Sequence, residues 1–61
     1  MQLYDVVELT VDRPDDGLRS GAVGTIVDAY TNDEYEVEFA DGDGRTIALA
    51  ALHADQLRPH G

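Results

Sequence analysis

A chain of 61 residues with 13 carboxylates against four arginines, no lysine and a formal charge of −9 has room for one small hydrophobic core. Its electrostatic field repels phosphate backbones and anionic membrane surfaces. Without cysteine it can form neither the disulfides that staple secreted domains of this size nor a thiolate metal site, so a reducing, cytoplasmic setting is expected. The opening Met1-Gln2-Leu3-Tyr4-Asp5 lacks a basic and then apolar leader pattern, and no apolar run approaches the roughly 20 residues of a bilayer span.

Tyr4 to Thr10 is rich in β-branched and aromatic residues and is predicted as a first strand. Val11 to Gly21 holds one proline and two glycines among charges and reads as a loop, long for so small a domain. Ala22 to Tyr30 is predicted as a second strand, with Gly24 marking a bulge or sharp bend. After a turn at Thr31 to Glu34, the segment Glu34 to Phe39 alternates cleanly: Tyr35, Val37 and Phe39 share one face, Glu34, Glu36 and Glu38 the other. That period of two predicts a half-buried strand with a wet acidic side.

Asp41-Gly42-Asp43-Gly44 signals a hairpin. Arg45 to Leu52 fits either period taken alone, since Leu49 and Leu52 share a helical face while Ile47 and Leu49 alternate as a strand would. The preceding hairpin turn, and the weakness of an isolated strand pair, favour a strand. His53 to Gln56 is then a single helical turn and Leu57 to Pro59 a short closing strand, ended by its proline. The expected core is Leu3, Val7, Leu9, Leu18, Val23, Ile26, Val27, Tyr35, Val37, Phe39, Ile47, Leu49, Leu52 and Leu57, with Tyr4 and Tyr30 partly buried beside it.

Five short strands, a long first loop and a helical turn before the last strand describe an all-β, SH3-like barrel forming one domain over residues 1–61. Asp5-Val6-Val7-Glu8-Leu9-Thr10, Gly17-Leu18, Gly21-Ala22-Val23-Gly24-Thr25-Ile26-Val27, Tyr30, Tyr35 to Phe39, and Asp55-Gln56-Leu57-Arg58-Pro59 together resemble a family of small stand-alone bacterial proteins classed only as a domain of unknown function. That resemblance covers nearly the whole chain and implies the barrel, but it brings no activity and no site residues. The Gly-x-x-Gly-x-x-Val spacing more loosely resembles the barrel of the nitrile hydratase β subunit, the KOW motif and CAP-Gly domains, a likeness of fold and not of function.

No pattern for catalysis, cofactor or metal emerges. An EF-hand counted from Asp41 would place Arg45 and Leu52 at ligand positions, so the Asp-Gly repeat is a turn. His53 and His60 lack a second ligand at metal spacing. Gly21-Ala22-Val23-Gly24 has neither the lysine nor the helix of a phosphate loop. Polyproline recognition needs an aromatic-lined groove, which a chain with no tryptophan and three tyrosines is poorly equipped to build. What remains is contact with a partner protein bearing a basic surface, through the loop acids Asp12, Asp15 and Asp16 or the strand acids Glu34, Glu36 and Glu38. An antitoxin or immunity-type inhibitor of a basic enzyme is a second form of the same contact. A KOW-like nucleic-acid binder is disfavoured by charge, and edge strands with a thin core leave self-association open.

Overall fold

The computed structural model describes residues 1–61. Five strands, β1 (Val6–Leu9), β2 (Val23–Ala29), β3 (Glu34–Ala40), β4 (Thr46–His53) and β5 (Leu57–Pro59), pair antiparallel in one sheet ordered β4-β3-β2-β1-β5. β2, β3 and β4 form a meander, and β5 returns beside β1 after a 3₁₀ turn over Ala54–Gln56. This is the small SH3-like barrel expected from the punctuation of the sequence, with the ambiguous segment after the hairpin resolved as a strand. No helix is long and apolar enough to cross a membrane.

The long first loop is itself folded. Arg13 and Leu18 exchange backbone hydrogen bonds of 2.9 and 3.0 Å around a 3₁₀ turn at Pro14–Asp16, and Gly17 closes that turn at φ +72°. A residue with a side chain is strained at such an angle. The result carries Leu18 into the core.

The core is set by strand alternation. Val7 and Leu9 of β1, Ile26 of β2, Tyr35, Val37 and Phe39 of β3, Ala50 and Leu52 of β4 and Leu57 of β5 join Leu18 in one buried cluster. Phe39 is its largest fully buried side chain. It pairs with Gly24 on β2 and with Ala48 on β4, so this large ring is flanked by two of the smallest residues. A Cβ on Gly24 would lie 2.8 Å from the Glu38 carbonyl oxygen, 2.8 Å from Val37 Cγ1 and 2.9 Å from Phe39 Cδ1. Gly24 therefore serves a close backbone approach, and of the bulge or sharp bend expected there the bulge does not fall at Gly24. The bulges lie one turn of the ladder away, between Ile26 and Asp28 and at the start of β4.

Several expected core residues face outward. On β4 the inward column is Ala48, Ala50 and Leu52, which leaves Ile47 and Leu49 each 56% exposed. The space over β4 is already filled by Phe39, Val37 and Tyr35, opposite Ala48, Ala50 and Leu52. A strand phase that brought Ile47 and Leu49 inside would overpack that row. Val23 sits opposite Glu8 on the outward side, Val27 is the extra half-buried residue of the β2 bulge, and Leu3 precedes β1 in an exposed turn. Tyr4 and Tyr30, expected at the core margin, are exposed instead.

The closing strand is also held by charge. Arg58 Nε and Nη2 donate to Glu8 Oε2 at 3.2 and 2.8 Å, and His60 Nδ1 lies 2.9 Å from Glu8 Oε1. The His60 hydrogen bond first, and then that of Arg58, hold the Glu8 carboxyl below its ordinary range.

Gly24→Ala is expected to overpack the Phe39 contact at a cost of about 1–3 kcal/mol. For a domain of this size that lowers Tm by on the order of 5–20 °C in thermal denaturation followed by circular dichroism. Gly42→Ala, with nothing within 4 Å of its new Cβ, is expected to leave Tm nearly unchanged.

Candidate functional site

Alternation that buries Tyr35, Val37 and Phe39 pushes Glu34, Glu36 and Glu38 to the outward side of β3. They form the expected row, half-buried between their neighbours and not free in water. Thr46 Oγ1 donates to Glu38 Oε2 at 3.1 Å, the Tyr30 hydroxyl donates to Glu36 Oε2, and His53 Nε2 lies 3.9 Å from Glu34 Oε2. The bulge at the start of β4 sets Thr46 and Ile47 together against Ala40, which lets Thr46 reach Glu38.

The β2 bulge has a second effect. It places Asp28 directly opposite Glu36, two like charges in register on one face. Such a pair is destabilising unless a cation joins it. None does: Arg13 pairs with Asp16 at 3.1 Å, Arg45 with Asp43 at 4.0 Å and Arg58 with Glu8 at 2.8 Å, and no cationic group lies within 4.0 Å of Asp28, Glu36 or Glu38. Neutral donors orient the β3 carboxylates without cancelling their charge. The bond to Glu36, with burial and the nearby Glu36 and Asp28 charges, raises the Tyr30 phenol above its ordinary 10.0.

The loop acids are arranged differently. Asp12 Oδ1 accepts the Ser20 amide at 2.9 Å, Asp16 is paired to Arg13, and Asp15 stands exposed in the 3₁₀ turn. A shallow groove of about 390 Å³ beside them is lined by Asp12, Pro14, Gly17, Leu18 and Arg19, so it holds a cation as well as an anion. No hydrogen bond or ion pair joins the loop acids to the β3 row. A second groove, about 420 Å³, lies between Met1, Tyr4, Val6, Pro59 and His60. His60 is tied through its ring to Glu8 and, through its backbone amide, to Val6 at 3.0 Å. No Asp, Glu, Arg or His is buried, and no group of three or more His, Asp and Glu side chains converges as a metal ligand set.

Sequence reading did not single out Asp28, Tyr30, Ile47 or Leu49 as surface features. Asp28 reaches the face only through the bulge, which shifts register by one residue and which no local signal announces. Ile47 and Leu49 look like core until the volume of Phe39 is taken into account.

These features define a small all-β barrel whose outward β2–β3–β4 surface combines oriented carboxylates with exposed aliphatic side chains. The family profile described as Domain of unknown function (DUF4926) matches residues 3–59, and the chain belongs to that family. No curated protein and no solved structure matches it.

In a ring-carbon NMR titration, Tyr30 is expected to ionise above pH 10.0, and Glu36→Gln to bring it back toward that value. Because the folded pKa is raised, the stabilising contribution of this pair is complete below pH 10.0 and is lost as pH rises through the folded value. Identical titrations of the two proteins would show that Glu36 does not govern the phenol.

Proposed function

We propose that the chain works by contact and not by catalysis, docking through the outward face of β2, β3 and β4 on a basic surface of another protein. The observation that carries this reading is the facing pair Asp28 and Glu36, held beside Glu38 with no cation in reach on a chain of charge −9. A partner's Arg or Lys at that position relieves a like-charge repulsion already present in the free protein, and complementary charge speeds encounter as well as fixing orientation. The β3 row is favoured over Asp16, whose charge Arg13 already meets, and over Asp12, which lies in a groove that also carries Arg19. The lack of cysteine supports work in a reducing compartment such as the cytoplasm. Inhibition of a basic enzyme is the same contact with a consequence for the partner.

Co-purification from the native host at low ionic strength, read by mass spectrometry, is expected to recover a basic protein that salt releases. The double variant Asp28→Asn/Glu36→Gln should retain it at least tenfold more weakly while keeping its fold by circular dichroism. Recovery of the free monomer alone, or equal retention by the variant, contradicts the proposal.

A further inference from the structure

β4 is an eight-residue strand at the end of the sheet order, and β3 is the only strand it pairs with. Among the backbone hydrogen bonds outside the ladders, none involves residues 47–52. Half of the amides and carbonyls of such an edge point away from the sheet and stand ready to pair with another chain. Natural edges are blunted with charges, prolines or shortness. Between Thr46 and His53 this edge has no charged residue and no proline, and it carries Ile47 and Leu49, each 56% exposed, on its outward side.

The outward residues are ordered along the strand. Leu49 stands opposite Glu38 and Ala51 opposite Glu36, which in turn stands opposite Asp28. A strand added beside β4 would lie about 4.8 Å from it and about 10 Å from β3. Across Leu49 and Ile47 the added strand meets hydrocarbon. Across Ala51 the small side chain leaves a low pass, over which a long cationic side chain can reach Glu36 and Asp28. A second copy of this chain does not fit that pattern: each copy carries −9, and the outward side of its β4 offers no arginine or lysine to meet the acids.

We propose that β4 takes up an extended segment of the partner as a sixth strand, apolar where it passes Ile47 and Leu49 and cationic where it passes Ala51. This rests on the contact function above and adds to it the mode of recognition, in which main-chain pairing gives affinity and alternate side chains give specificity.

The test uses the isotope-labelled protein and a short synthetic peptide in which threonines alternate with two valines and two arginines. Amide shift changes are expected along residues 47–52 and at Glu36 and Asp28. Methylating alternate peptide nitrogens should weaken binding at least tenfold, as should Leu49→Lys, whose exposed site leaves Tm unchanged. Leu49→Thr, which keeps strand propensity and adds no charge, should weaken binding several-fold and so separates lost hydrocarbon contact from added repulsion. Equal affinity for the methylated peptide, a footprint confined to residues 12–19 or to the Met1, Tyr4 and Pro59 groove, or no shift at millimolar peptide overturns strand addition. So does a concentration-dependent dimer of the free protein through β4, which assigns the edge to a second copy. A footprint elsewhere that still needs Asp28 and Glu36 leaves the contact function standing, whereas loss of the co-purifying partner removes that function whatever the peptide does.

Discussion

Phe39 between Gly24 and Ala48 is the contact on which the rest of the molecule depends. A buried aromatic ring can sit at the centre of a barrel this small only if its cross-strand neighbours give it room. Here one neighbour has no side chain and the other a single methyl, and a Cβ on Gly24 would come within 2.9 Å of the ring. Packed interiors tolerate little extra volume, so this row fixes the registers of β2 and β4 against β3 together. Once those registers are fixed, every other side chain on the three strands is assigned to the inside or the outside.

The outward consequences follow from the same assignment. β3 alternates so strictly that Tyr35, Val37 and Phe39 all face inward and Glu34, Glu36 and Glu38 all face outward. β4 must then present small residues inward, which sends Ile47 and Leu49 into solvent at the end of the sheet. The bulge in β2 turns Asp28 onto the same surface as Glu36. A barrel with so few residues has two faces and two edges to offer, and here core packing leaves one edge and its adjoining face both apolar and anionic. That combination suits a partner segment that is both aliphatic and basic, and it is poorly matched to phosphate or to a second copy of the chain.

Much of the architecture was legible because it is written in local signals. The period of two in Glu34 to Phe39, the Asp-Gly turn and Pro59 each place an element without reference to the rest of the chain. The acidic row on β3 was legible for the same reason. What escaped is what depends on volume and register. The hairpin turn before Arg45 to Leu52 favours a strand there but not its phase, because the phase is decided by Phe39 on the neighbouring strand. The bulge that exposes Asp28, the folding of the first loop around Arg13 and Leu18, and the hold of Arg58 and His60 on Glu8 are likewise long-range outcomes. Hydrophobicity alone cannot separate a core leucine from an exposed one; the space available inside does.

The most direct test is the set of proton–proton NOEs from the Phe39 ring in the purified protein. NOEs to the Gly24 α-protons and the Ala48 methyl, with none to the methyls of Ile47 or Leu49, are expected from the register in which those two side chains face outward. NOEs from the Phe39 ring to Leu49 would place β4 in the opposite phase, bury the aliphatic strip, and contradict both the packing and the docking surface built on it.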